Sequence, residues 1–403
     1  MKGLFYHMDA SRRSVRLLTA GVVMLISVYG LLSNYQSVVL NSVVESYRLV
    51  GGAQGLMSSM INIGAVAAFI TAPMLQGRIR KTTMLLLGAA VLVLSFFLLG
   101  AGRAVAALIG ACLLTGIGFG WVDANCNAVI VDLHHDKSAK FLGLLHGGFG
   151  VGGLIAPILI SALLAVMSWH AVSYLMGVLI ALAGLAFLLL LAAARKGVPV
   201  AKKEQPLTFA AVKAFLFQRK NALMLLATIH YAVAQSGLLI WIVRYMTLRY
   251  NAEALGSVAL SIYWVCATLS RFFAPRLPIR PLKLFLLGVL LTCVFQAIGV
   301  LSGSAVVMCV MSGVIGLVSG HCVPMILSEA SSDNPGFSSL IASSFLISIF
   351  ATNIFAPLFM GALASWAGLD TMMLTPAASA AFSALIVLII LRQERKKRAQ
   401  ALA

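Results

Sequence analysis

Hydrophobic residues along this chain fall in runs of about 20, separated by short loops that hold most of the lysines and arginines. About 20 apolar residues in a helix cross a bilayer, so the pattern predicts membrane helices. The spans predicted in the first half cover about Leu17–Leu40, Gly55–Leu75, Thr83–Gly100, Ala104–Val131 and Phe141–Val166, with a sixth ending near Ala194. The second half gives about Asn221–Leu248, Ala254–Phe273, Leu284–Gly303, Ala305–Leu327, Ser338–Trp366 and Thr371–Leu391. Alternating short strands are absent, which argues against a β-barrel. The expected fold is all-α: a polytopic membrane protein with twelve transmembrane helices in two pseudo-symmetric six-helix halves, residues 1–194 and 221–403. Residues 195–220 form a basic linker in which LTFAAVKAFLF has the pattern of a helix lying on the inner membrane surface.

Composition agrees with this pattern. Of 403 residues 61% are hydrophobic and only 10% charged, more apolar surface than a soluble fold of this size can bury. The net charge of +18 does not point to nucleic acid, because the bases sit in short loops rather than on a folded basic face. With loops assigned alternately, only Arg48, Arg103, Arg244 and Arg249 lie outside and every other Lys or Arg inside. That asymmetry supports twelve spans with both termini in the cytoplasm, and the cytoplasmic (inner) membrane is the expected location. The N-terminus lacks a cleavage-site pattern, so the first span is expected to stay as a helix. The six cysteines all fall within spans, without zinc or disulfide spacing, and read as small packing residues. His134 and His135 are adjacent in an inner loop, where solvated histidines rarely bind metal. No metal or cofactor is expected, other than protons as the coupling ion.

The stretch GIGFGWVDANCNAVIVD, Gly116 to Asp132, carries the most chemistry. Of the 11 acidic residues, Asp123 is the one that falls well inside a hydrophobic span. A carboxylate at a helix centre in lipid costs roughly 2.5–3.5 kcal/mol on insertion scales, so Asp123 should face protein or a water cavity. The helical period puts Gly116, Gly120, Asp123 and Asn127 on one stripe, with Trp121 and Asn125 beside it. The glycines admit a close neighbour, and the polar groups either line a cavity or act as glue between helices. In span five, LLHGGFGVGGLIAP is a small-residue surface for helix packing, not a nucleotide loop. His146 at its inner end either shares a proton with Asp123 or Asp132 or is a packing histidine.

A repeat appears at an offset of about 200 residues. GIGFGW at Gly116–Trp121 faces GLVSGH at Gly316–His321, and Ala156-Pro157 faces Ala356-Pro357. Parallel six-helix repeats with a site between them are a known transporter plan.

The spans, the basic linker and the two halves resemble the major facilitator superfamily, and the motifs are closest to its fucose-permease-like sugar transporters. Span four with span five, GIGFGWVDANCNAVIVD…LLHGGFGVGGLIAP, is similar to that branch's pattern of glycines, an acid and an Asn four residues later. The resemblance implies proton coupling at Asp123 and a site amide at Asn127. YAVAQSGLLIW resembles the branch's span seven, with Gln235 where an acid is common. YWVCATLSR resembles its span eight, giving Trp264 and Arg271 structural roles. In NYQSVV, Asn34 is kept, while Ser37 replaces the motif's acid.

The expected function is secondary transport of a small neutral polar solute, a sugar in first place, by alternating access with proton symport. Candidate substrate contacts are Asn34, Gln36, Trp121, Asn127, Gln235, Trp241, Trp264 and His321, since amides pair with hydroxyls and aromatic faces cover a pyranose ring. Candidate proton groups are Asp123 and His146. Efflux of amphipathic drugs or cations is the alternative, with Asp123 as counter-charge. Losing the acids at Ser37 and Gln235 also leaves uniport open. An intramembrane enzyme is not expected, because the spans hold neither His-Glu-x-x-His nor paired catalytic aspartates. The remaining partners expected are the lipid bilayer and no other protein, the architecture working as a monomer. Cysteines placed at Lys203 and Arg395 should react with impermeant reagents only from the cytoplasm, and those at Glu45 and Asp370 only from outside. Reactivity of positions 203 and 395 from opposite sides would break the twelve-span topology.

Overall fold

The computed structural model describes residues 2–76, 79–134, 138–194, 213, 217–333 and 338–402, and these are helical apart from short turns, with no strand. With no water in the bilayer core to satisfy backbone groups, helices meet that demand within each segment. Among the described residues, twelve helical segments are long and apolar enough to cross a membrane. Spans one to six are Arg12–Tyr47, Gly51–Ala72, Lys81–Ala101, Val105–His134, Phe141–Leu164 and Trp169–Ala194. Spans seven to twelve are Arg219–Tyr250, Glu253–Arg276, Pro281–Leu301, Ala305–Asp333, Ser344–Ala367 and Leu369–Lys397. The protein is therefore a multi-pass membrane protein. Most of LTFAAVKAFLF lies outside the described residues.

Three spans depart from the outlines expected. Span one continues as helix to Tyr47, placing Asn41 and Glu45 on it, and stops where Arg48 turns left-handed (φ 51°) and donates its N–H to Glu45 and Val44 carbonyls. It is interrupted at Asn34, whose backbone N–H bonds Leu31 O at 3.4 Å while its side-chain amide takes the Gly30 carbonyl at 3.1 Å. Span twelve runs on through the basic tail as one helix, Leu369–Leu402, since Arg, Gln, Glu, Lys and Ala all favour helix.

Span ten is broken. One helix ends at Ser319 and a second runs Cys322–Asp333. Pro324 has no N–H for the Gly320 carbonyl four residues earlier, and its ring crowds that carbonyl. The structure supplies other donors. Arg271 Nε reaches Gly320 O at 3.1 Å and Tyr231 Oη reaches Ser319 O at 2.8 Å.

The chain divides into two compact units, Met1–Arg48 with Met60–Glu204, and Leu49–Ser59 with Gln205–Ala403. In the first, glycines set the helix spacing. A Cβ at Gly116 would collide with Ile61 O, one at Gly64 with Leu113 O, and one at Gly120 would meet Ala68, so span four lies hard against span two. Gly148 and Gly152 bring span five equally close to Ser27 on span one. Apolar burial gives helices little drive to associate in lipid, so such contacts hold them through van der Waals packing.

The second unit repeats the design. Gly316 abuts Tyr263 O and Gly320 abuts Ala267, so span ten lies on span eight as span four lies on span two. Side chains follow suit. Trp121 Nε1 donates to Thr71 at 3.1 Å, and at the equivalent place His321 Nδ1 bonds Ser270 at 2.8 Å. Lys81 Nζ meets Asp132 at 2.9 Å, and Arg280 Nε meets Glu329 at 3.1 Å. The second unit adds charge here: Arg280 also binds Glu394 at 2.9 Å, and Lys220 reaches Asp333 and Glu394, each at 2.6 Å. This network joins spans seven, ten and twelve to the loop before span nine. At the other end of the unit, Gln54 accepts from Arg244 Nε at 2.9 Å, and a Cβ at Gly55 would strike Pro357 on span eleven.

If close approach holds the bundles together, one methyl group should show it. Gly320→Ala places a Cβ 2.5 Å from Ala267 O and should lower stability by about 1–3 kcal/mol. Gly110→Ala meets nothing within 4 Å and should leave the melting temperature unchanged or raised. Thermal unfolding of the detergent-purified variants checks this, and equal effects at the two positions would contradict it.

Candidate functional site

Asp123 stands one turn before Asn127 on span four, and the i, i+4 spacing puts their side chains together. Asn127 Nδ2 donates to Asp123 Oδ1 at 3.0 Å and to its backbone carbonyl at 2.9 Å. The carboxyl is half-buried, and among the described residues no Lys, Arg or His pairs with it. One amide hydrogen bond leaves most of the acceptor capacity of a carboxylate unused. Beside it, Tyr29 of span one, within electrostatic range of Asp123, packs on Phe119 and Phe149 with ring centroids 4.8 and 5.3 Å apart.

The other sequence candidates of this unit fall in different places. Asn34 is buried at the interruption of span one, its amide turned back on Gly30. Gln36, two residues on, has a buried Oε1 with no hydrogen-bond partner. Asn125 is fully buried, donates to Trp121 O at 2.8 Å and also leaves its Oδ1 unbonded. Trp121 is tied to span two through Thr71. His146 is exposed on span five.

In the second unit, Gln235 Nε2 donates to Tyr263 Oη at 2.9 Å, which fixes the amide and leaves its Oε1 as an acceptor. Tyr263 stands edge-on to Trp264, and Arg271 lies 5.9 Å over the Trp264 ring. Trp241 is only 1% exposed, too deep to anchor at a membrane interface, and its Nε1 has no partner. Asn353 on span eleven likewise has an unbonded, buried Oδ1. His321 is committed on both sides: Nε2 donates to Leu284 O at 3.2 Å, so Nδ1 accepts from Ser270. Such a histidine joins spans eight, nine and ten and has no nitrogen left for a ligand.

Sequence reasoning missed Asn353 as an orphan acceptor, and missed Tyr231 and Arg271 as the donors that hold the break in span ten. Pro324 was the available signal for the break, but the donors lie 49 and 88 residues from the carbonyls they satisfy, beyond any local pattern.

A family model described as Major Facilitator Superfamily matches residues 22–351. No curated protein sequence matches the chain. Among solved structures, a bacterial homologue of the human lysosomal transporter Spinster, inward-facing and unoccupied, superposes with a TM-score of 0.76 at 15% identity, covering 94% of this chain and 97% of that one. The nucleoside transporter NupG gives a TM-score of 0.76 at 13% identity, covering 93% and 99%. A POT family transporter in complex with 5-aminolevulinic acid gives 0.75 at 16% identity, covering 96% of each chain. At these identities the likeness establishes the fold and leaves the cargo open. The family match spans most of the chain, and the protein belongs to the major facilitator superfamily of membrane transporters.

Proposed function

We propose that this protein is a proton-coupled secondary transporter of a small neutral polar solute, a sugar in first place, in the cytoplasmic membrane, close to the fucose-permease-like branch. The observation that carries the reading is Asp123: a half-buried acid inside a membrane span, bonded to an amide and to no cation among the described residues. A carboxyl without a counter-charge is costly when ionised away from water and cheap when neutral. If the two conformations of the carrier hydrate it differently, its proton affinity differs between them, and a proton gradient can drive the transition. The neutral class of solute is supported by two half-buried amides: Asn127 and Gln235 donate through their nitrogens to Asp123 and Tyr263, and each keeps its oxygen as an acceptor. Hydroxyl groups of a solute satisfy such acceptors without adding charge.

Efflux of amphipathic cations is the second reading, favoured by the aromatic trio Tyr29, Phe119 and Phe149 near an acid that lacks a counter-charge. A thermal-stability screen of neutral sugars against lipophilic cations separates the two, because a bound ligand stabilises by mass action.

With a stabilising solute in hand, liposome assays test the coupling. Asp123→Asn keeps an acceptor oxygen for Asn127 and imitates the neutral acid. It should retain solute exchange but lose uphill accumulation driven by a proton gradient. Accumulation by this variant would move the role to His146, and failure of the unmutated protein to accumulate would make it a uniporter.

The solute contacts are tested by binding. Asn127→Ala and Gln235→Ala should each weaken solute binding by about tenfold, the worth of one neutral hydrogen bond of about 1–1.5 kcal/mol, without loss of fold. Unchanged affinity in both would place the binding site elsewhere.

A further inference from the structure

Away from Asp123, a cavity of about 480 Å³ opens in the first unit between the start of span one, the end of span four and the start of span five. Its polar end is Arg16, Thr19 and His134, and its apolar wall includes Val23, Met24 and Leu144. Arg16 is exposed, with Arg12 one turn earlier on the same helical face, and no acid among the described residues pairs with either. This differs from the basic residues of the second unit, where Lys220 and Arg280 are consumed by three carboxylates.

His134 is preset. The Thr19 hydroxyl proton is used on Val15 O at 2.8 Å, so at the 2.7 Å contact His134 Nε2 must be the donor. The ring is held flat on Phe141, with centroids 3.4 Å apart, so it forms a fixed side of the polar end, and Arg16 supplies the positive charge there. Below the cavity, Leu144 begins an exposed apolar strip that continues through Val151, Ile155 and Ile158 down span five. Spacings of 7, 4 and 3 residues keep that strip on one helix face.

A phosphate alone would fill only the polar end, and a hydrocarbon alone would leave the arginine unmatched. We propose that this cavity binds an anionic phospholipid of the surrounding bilayer, with the phosphate between Arg16 and His134 and an acyl chain along Val23, Met24, Leu144 and the strip beyond. The lipid joins the ends of spans one, four and five and is a fixed partner, separate from the transported solute. Basic pockets between membrane helices suit such headgroups.

The test uses delipidated, detergent-purified full-length protein and reads thermal stabilisation and lipid retention by native mass spectrometry. Phosphatidylglycerol should stabilise the protein and bind at least tenfold tighter than phosphatidylcholine of the same chains. Arg16→Gln should abolish that preference, and Ala20→Phe, which fills the cavity, should reduce retention of both lipids. Arg219→Gln, an exposed base outside the cavity, should change nothing. Equal binding of the two lipids, or equal loss with Arg219→Gln, would overturn the proposal in favour of general surface electrostatics. Soluble glycerol phosphate binding as tightly as the lipid, or transported by the protein in liposomes, would overturn it in favour of a solute site.

Discussion

Inside a membrane span a polar group has no water to fall back on, and nearly everything in this structure follows from how its polar groups are satisfied. The backbone does it by staying helical, and where it does not, side chains step in. Asn34 covers the Gly30 carbonyl at the interruption in span one, and Tyr231 and Arg271 cover Ser319 and Gly320 at the break in span ten. Deeply placed hydroxyls are treated the same way: Thr292 donates to Gly288 O at 2.8 Å and Ser383 to Ala227 O at 2.8 Å. Glu329, only 5% exposed, is held by Lys220 and Arg280. Against Glu329 with its two cations, Asp123 is a half-buried acid inside a span with one amide for company, and acids placed so concentrate at functional sites.

The two units also show where the repeat is broken. Gly116 and Gly120 have counterparts in Gly316 and Gly320, both pairs pressed on the preceding even-numbered span. Trp121 and His321 tie the same pairs of spans with different chemistry. At the same offset Asp123 faces Val323 and Asn127 faces Leu327, so the acid and its amide have no equivalent in the second unit. The packing constraint was kept twice, while the titratable chemistry was kept once.

Much of this was legible in the sequence because it is local. Span lengths follow from apolar runs, the Asp123–Asn127 pair from i, i+4 spacing, and the close approach of some neighbour to span four from the Gly116–Gly120 stripe, though not that the neighbour is span two. What could not be read depends on long-range pairing. Nothing near Glu329 announces Arg280 and Lys220, 49 and 109 residues away. The partners of Trp121 and His321 are of the same long-range kind: Thr71 lies on another span, and Leu284 and Ser270 flank the imidazole from two others. The branch-level resemblance rests on similarly local motifs, and the family match confirms only the superfamily.

The central claim is that Asp123 itself carries the coupling proton, and infrared difference spectroscopy of the purified protein during a pH titration reads this directly. A protonated-carboxyl band should titrate in the unmutated protein, shift its midpoint when solute binds, and vanish in Asp123→Asn while other carboxyl bands remain. A carboxyl band unaffected by Asp123→Asn, or a midpoint indifferent to solute, would contradict the account.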